Sequence, residues 1–422
     1  MPGSSSSNPI QHIVLVIQEN RSFNDFFALF PGAQETATTG LMKTPSGDEQ
    51  IALAEHDLLS TCDFGHGYAA FRRDYDGGKM DGFNLEANCG AATGPYQYVN
   101  PSQIKPYWIL AQQYVLSDHM FQTQGSGSFT AHQDLIAGAT IINASKTKSL
   151  VDWPTATPWG CDAPPGTVTS LLVDKGSQIK YDDLGGPFPC LTYHTLRDLL
   201  DARAISWKYY SPPVAGGTGA VWNAFDAIKA VRYGSEWGEN VTDSNLQVFT
   251  DISNGQLPAV SWLIPDSENS DHPGYSGDTG PSWVASIVNA IGQSSYWQST
   301  AVIILWDDWG GFYDPAPPPF FDQWGGLGFR VPMIVVSAYA PQGGSKLGGR
   351  ISHTQYEFGS ILKFIEDTFG LGRLGTTDVR AHSIAGCFNF SQPARAFNVV
   401  PSKYSRAFFE RQRPSYRPVD TE

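Results

Sequence analysis

Two aliphatic runs in this chain end abruptly in polar, oxygen-bearing residues. Ile13–Ile17 gives way to Gln18-Glu19-Asn20-Arg21-Ser22, and Ala301–Leu305 opens into Trp306-Asp307-Asp308-Trp309-Gly310-Gly311. Short runs without polar alternation read as strands buried on both faces, here His12–Gln18 and Thr300–Trp306. Further strands are predicted over Ile205–Tyr210, Ala259–Ile264 and Val331–Ser337. Helical spacing predicts Phe23–Phe30, Ile104–Tyr114, Phe129–Ala139, Thr195–Ala202, Val221–Val231, Asn245–Asp251, Ser282–Ile291 and Thr354–Phe369. Strands alternating with helices predict an α/β fold, with a mostly parallel central sheet flanked by helices on both faces. Long loop excursions, about 31–103 and 152–192, interrupt one domain expected over 8–380. The remaining 381–422 read as a C-terminal extension packed on it.

Composition sharpens this picture. Hydrophobic residues at 41% supply a core, while only 16% are charged, below the usual quarter. With 43 Gly and 29 Pro the connections are long and ordered. A net charge of −14 argues against nucleic acid and against electrostatic docking to anionic lipid. No Lys/Arg cluster offsets it, so an anionic substrate needs a metal or local positive charge. No apolar run approaches the length of a spanning helix. None of the five cysteines forms a C-x-x-C pair, which argues against a structural zinc site. Cys161 and Cys190 lie in Gly/Pro-rich sequence and are the favoured disulfide, with Cys62–Cys89 a weaker pairing. These features predict a secreted or periplasmic protein, and the polar stretch Met1–Ser7 reads as a trimmed leader.

In open α/β sheets, ligands bind beyond the carboxyl ends of the strands. Glu19-Asn20 and Asp307-Asp308 at two such ends offer hard oxygen ligands for one cation. The bland alternatives are that Glu19 and Asp308 cap helices and Asn20 makes a turn. Ser128 sits where Gly125-Ser126-Gly127 enters a helix. Helix N–H groups there suit an alkoxide and a phosphoryl group, although serine is also a common cap and Ser126 competes for either role. No G-x-S-x-G surrounds Ser128, which disfavours a Ser-His-Asp acyl hydrolase. His66, His132, His272 and His353 fall near the same predicted rim and suit phosphate contact or proton transfer.

These residues resemble a known family. Glu19-Asn20-Arg21-Ser22-Phe23-Asn24-Asp25 is similar to its opening E-N-R-S-F-D signature. Ser128 stands ten residues before Gly138, as in its central signature. Asp307-Asp308-Trp309-Gly310-Gly311-Phe312-Tyr313-Asp314 matches its late signature, followed by Gly328-Phe329-Arg330-Val331-Pro332, Ser352-His353 and Ser360–Glu366. The chain thus resembles the bacterial phosphoesterase family of secreted acid phosphatases and phospholipases C, a branch of the alkaline-phosphatase-like superfamily. Two departures are Asn24 for an aspartate and Pro315 for a histidine.

The resemblance implies a phosphoric ester hydrolase with one divalent metal ion (Ca, Mg, Mn or Zn) held by Glu19, Asn20, Ser128, Asp307 and Asp308. It implies Ser128 as nucleophile, with His66 and His272 as catalytic phosphate contacts or proton donors. His132, His353 and Lys79, the last in a glycine-rich run, are expected as substrate contacts. Ser128 in place of threonine leans toward phosphomonoesters. The alternative is a phospholipase C, with Phe64, Tyr68 and Phe71 holding a lipid. A secreted metal-dependent binding protein without turnover is the reading from another class. The substrate is a small phosphate ester or a phospholipid.

Overall fold

The two aliphatic runs lie side by side at the centre of one eight-stranded sheet in a computed structural model of the chain. The structure describes residues 8–59, 62–86, 91–176, 178–274, 277–320, 322–324, 326–413 and 415. In chain order the strands of this sheet are β1 (His12–Gln18), β2 (Val115–Ser117), β3 (Trp207–Tyr210), β4 (Val241–Thr242), β5 (Val260–Leu263), β6 (Thr300–Trp306), β7 (Met333–Ser337) and β8 (Arg350–Ser352). Their spatial order is β4-β3-β5-β1-β6-β7-β2-β8, and only β7 runs antiparallel to its neighbours. The central β1 and β6 are the continuous aliphatic runs because each is covered on both faces; every residue of β6 is buried.

The helices used below are α1 (Phe23–Phe27), α2 (Tyr68–Tyr75), α3 (Lys105–Gln113), α4 (Ser128–Ala137), α5 (Gly280–Gly292) and α6 (Phe358–Phe369). Sheet register assigns their faces. Trp262 of β5 and Ile303 of β6 both pair with Leu15, and Trp262 donates Nε1 to the Leu135 carbonyl of α4 at 3.3 Å. Trp306, three positions beyond Ile303, points to the other face. There it meets Tyr107 of α3, ring centroids 4.9 Å apart. Helices therefore cover both faces. One large apolar core spans the sheet and includes Phe388, Val400 and Phe409 from the C-terminal segment. A second cluster of Phe71, Phe83, Tyr96, Trp309 and Phe329 lies beneath the first excursion.

Several elements differ from the sequence expectations. The 31–103 stretch is not irregular throughout: it holds a hairpin (Thr39–Thr44 with Gly47–Ala52), α2, and a parallel pair (Ala54–His56 with Gln97–Val99). The 152–192 excursion contributes two strands to a three-stranded antiparallel sheet with Lys148–Val151. Val221–Val231 is not one helix, because the Asn223 side chain accepts from the Phe225 and Asp226 amides and restarts the chain there. The long helix expected from Thr354 begins at Phe358, where Glu357 and Ser360 form a reciprocal cap. Cys161 and Cys190 form a disulfide. The Cys62–Cys89 pairing falls on Cys89, outside the described residues, as does the Met1–Ser7 leader reading. Among the described residues no helix is long and apolar enough to cross a membrane.

Candidate active site

The β1–β6 register pairs Gln18 with Trp306, so Glu19-Asn20 and Asp307-Asp308 leave the sheet at the same level. The two loops are then tied together: the Asp307 amide donates to the Gln18 carbonyl and the Arg21 amide to the Asp308 carbonyl, each at 3.0 Å. Asn20 adopts a left-handed backbone, φ 59°. Gly310 faces it at φ 60°, and a β-carbon there would stand 2.2 Å from the Asn20 carbonyl oxygen, so only glycine permits this approach.

The third element is the start of α4. Gly127 is its N-cap and Ser128 its first helical residue. Ser126 is engaged elsewhere, since its Oγ accepts from the Asp152 amide at 2.6 Å and from Thr130 Oγ1 at 2.8 Å. Ser128 Oγ instead faces the acidic loops and donates to Asp308 Oδ2 at 3.1 Å and Asn20 Oδ1 at 3.4 Å. The structure thereby separates two serines that the sequence left in competition.

Around this hydroxyl the contacts close into one buried group. The Asn20 amide donates to Asp307 Oδ1 at 2.9 Å. His132, one turn along α4 from Ser128, lies with Nε2 at 3.2 and 3.3 Å from the two Glu19 oxygens and 3.8 Å from Asp307 Oδ2. Glu19, His132 and Asp307 each offer a ligand atom within 4.8 Å of the others. Among the described residues no hydrogen-bond donor meets the buried Asp307 Oδ2. A buried carboxylate oxygen left this way is costly unless a cation meets it. Carboxylate, amide and imidazole donors are also the set that divalent cations take, so the residues present fit such an ion. Burial pushes the His132 imidazole down to about 4, partly opposed by Asp307, and leaves it neutral at pH 7 with a lone pair to give.

His66 and His272 flank the group. His66 Nδ1 donates to the Phe64 carbonyl at 2.7 Å, its Nε2 accepts from Asn20 Nδ2 at 2.8 Å, and the same nitrogen lies 3.8 Å from Asp308 Oδ2. His272 donates Nδ1 to the Pro273 carbonyl at 2.9 Å and stacks on Trp222. Burial again pushes its imidazole down to about 4. A cavity of about 350 Å³ opens beside His66, lined by Phe64, Asp152, Trp153, Tyr181 and Asp183.

Two expected substrate contacts lie elsewhere. Lys79 is exposed and pairs with Asp76 at 2.9 Å, because the glycine-rich run turns outward on the excursion. His353 follows β8 and bonds Asp118 at the end of β2, three strand spacings or roughly 14 Å from β1. Phe71 is buried against Phe329, while Phe64 packs on Phe312 and borders the cavity beside His66. Sequence reasoning missed two supports. Arg21 is fully buried and donates Nε to the Asp271 carbonyl while pairing with Asp25, which anchors the Glu19-Asn20 loop from below. Asp271 itself accepts from Tyr107 and Gln18 and, chiefly through burial, is pushed up to about 6. Only their adjacency to Asn20 and His272 marked them in the sequence.

Comparison with known proteins bears on this arrangement. The chain is 24% identical to phospholipase C B of Mycobacterium tuberculosis, over 91% of this chain and 78% of that protein. It is 25% identical to the non-hemolytic phospholipase C of Burkholderia pseudomallei, over 97% of this chain but 63% of that protein. A crystal structure of an alkaline phosphatase superfamily protein from Vibrio parahaemolyticus overlays 88% of this chain and 70% of its own, with 11% identity and a TM-score of 0.38. The phosphoesterase family profile matches residues 10–372, which takes in both aliphatic strands, α4 and all five residues gathered around the serine hydroxyl. The chain belongs to the phosphoesterase family and is a phosphoric ester hydrolase.

Proposed function

We propose that this hydrolase is metal-dependent and uses Ser128 as nucleophile, passing through a phosphoseryl intermediate. The observation that carries the reading is a hydroxyl 3.1 Å from Asp308 and 3.4 Å from Asn20, beside an Asp307 oxygen that lacks any donor. Glu19, Asn20, Asp307 and Asp308, with Ser128 and His132 alongside, would hold a divalent cation, which would supply Lewis-acid polarisation of the phosphoryl oxygen, an effect of several kcal/mol. Ser128 Oγ attacks phosphorus in line and gives its proton to Asp308 Oδ2. The α4 N-terminus stabilises the developing negative charge. His272, neutral in the free enzyme, gains basicity once an anionic phosphoryl group lies beside it. Protonated from solvent in the substrate complex, it gives that proton to the leaving oxygen as the P–O bond breaks; water then displaces the phosphoryl group from Ser128, which recovers its proton from Asp308. His66 holds the Asn20 amide so that its oxygen faces Ser128.

The relatives' names favour a phospholipase C, a phosphodiesterase of lipid headgroups, over the phosphomonoesterase that Ser128 suggested. The cavity beside His66 gives room for a headgroup. Residues 8–380 are read as one catalytic domain with the C-terminal segment packed on it. The Cys161–Cys190 disulfide supports export. The test compares phosphatidylcholine with p-nitrophenyl phosphate, with and without added divalent cation. Headgroup release that needs the cation is expected. Cation-independent turnover overturns the metal reading, and faster p-nitrophenyl phosphate cleavage restores the monoester reading. No hydrolysis of either ester leaves the binding-protein alternative.

A further inference from the structure

A second group of metal-ligating side chains sits on the same carboxyl rim, at the other end of the sheet. Asp118 follows β2 and His353 follows β8, which is β2's parallel neighbour. The fully buried Asp118 carboxylate accepts from His119 Nδ1 with one oxygen and from His353 Nδ1 with the other, both at 2.7 Å. One ring nitrogen from each histidine and one Asp118 oxygen lie within 4.8 Å of one another. Glu35 approaches the far nitrogen of His119 at 3.4 Å. A carboxylate on the non-ligating nitrogen is the support that metal-binding histidines usually have.

The backbone beneath these side chains is fixed. Buried Arg330 donates to the carbonyls of Asp118 at 2.8 Å, Gln34 at 3.1 Å and Glu35 at 2.8 Å, while its Nε holds Asp314 at 2.9 Å. The Gln34 amide in turn donates to Asp118 Oδ2 at 2.8 Å. One guanidinium thus holds the segments carrying Asp118, His119 and Glu35 in place. The side chains above are accessible: His119 and His353 are 17% and 42% exposed, and His353 lines a cavity of about 460 Å³.

We propose that Asp118, His119 and His353 form a second, exchangeable site for a borderline divalent cation such as zinc. Two imidazoles and one carboxylate are a common three-residue zinc set, with water in the fourth position. Each neutral imidazole shifts to its Nε2–H tautomer as the ion takes the Nδ1 lone pair, so no net proton is lost and no other reactant is needed. Because Asp118 is already hydrogen-bonded without a metal, zinc must displace those bonds, and the site binds more weakly than the central group.

The proposal rests on different residues from the hydrolase reading, and its test keeps the two apart. The full chain, stripped of metal, is titrated with zinc chloride against a chromogenic chelator. The native sequence and Asp307→Asn are each compared with and without the pair His119→Ala and His353→Ala. Loss of one zinc equivalent with the histidine pair, in both backgrounds, is expected; retention of that equivalent overturns the proposal. The difference within each background does not depend on whether the central group takes a metal, which Asp307→Asn reports separately. If the double variant unfolds, His353→Ala alone decides, and it must weaken the outer equivalent at least about tenfold. Cobalt(II) gives a second reading: visible bands altered by His353→Ala are expected, and bands indifferent to it overturn the site.

Discussion

The two histidine–carboxylate groups share a sheet edge and much of their chemistry, yet they meet opposite demands. In the central group every ligating side chain is buried, and Asp307 keeps an oxygen with no donor. In the outer group Asp118 is buried but both its oxygens are satisfied. Burial alone would raise the Asp118 carboxyl, but His119, the Gln34 amide and His353 outweigh it and hold the group below the usual carboxylate range. The central group keeps an unmet acceptor that a cation would fill, and Asp118 in the outer group keeps none. Kinship of residue type therefore says less about metal demand than the count of unmet hydrogen bonds does.

The sharpest way to break this comparison is Ser128→Ala. It removes the hydroxyl on which the central group converges, so hydrolysis falls at least about a thousandfold while the fold persists. Retained turnover at more than a trace level ends the nucleophile assignment. Next is acid titration of the metal-free protein by calorimetry. His272 is held down to about 4 by burial against an ordinary 6.5, so between those values the unfolded chain binds the extra proton. Stability then falls as pH drops from about 6.5 to 4, by of order 3 kcal/mol from this residue. His272→Asn removes its share of that slope and leaves the share of His132, which burial also holds down to about 4; an unchanged slope refutes the burial argument.

A pair of identical substitutions separates the two groups by sign. Asp307→Asn takes away a buried, half-paired charge and raises the metal-free protein's stability by about 1–2 kcal/mol, while abolishing the central group's share of the stabilisation by added cation. Asp118→Asn removes charge-assisted bonds and lowers stability by about 1–2 kcal/mol. Shifts of the same sign in thermal melts of the two apo variants erase the distinction.

The make-up of the central group is legible because aliphatic runs locate strand ends, and candidate ligands stand just beyond them. Glu19, Asn20, Asp307 and Asp308 emerged from that logic alone. Their convergence was not legible, because it depends on a register, Gln18 against Trp306, that no local pattern encodes. Ser126 and Ser128 differ only in which way α4 turns them. The sequence offers His132 as a substrate contact, yet it faces Glu19 because a helical turn from Ser128 brings it round to the acidic loops. His353 and Lys79 fall outside the central group for a common reason: a rim position or a glycine-rich run marks a neighbourhood, not a distance. The hairpin inside the first excursion escaped because its short strands are largely exposed and carry little apolar signal.

Asn20 answers for both shape and chemistry at one position. Its left-handed backbone admits asparagine, aspartate or glycine with little strain and penalises branched residues. Glycine would preserve the bend yet present no oxygen, and aspartate would preserve the bend while adding a fourth carboxylate to Glu19, Asp307 and Asp308. The amide is thus the single side chain that bends the loop, offers an acceptor and leaves the local charge unaltered, so drift at this site is closed from two independent directions.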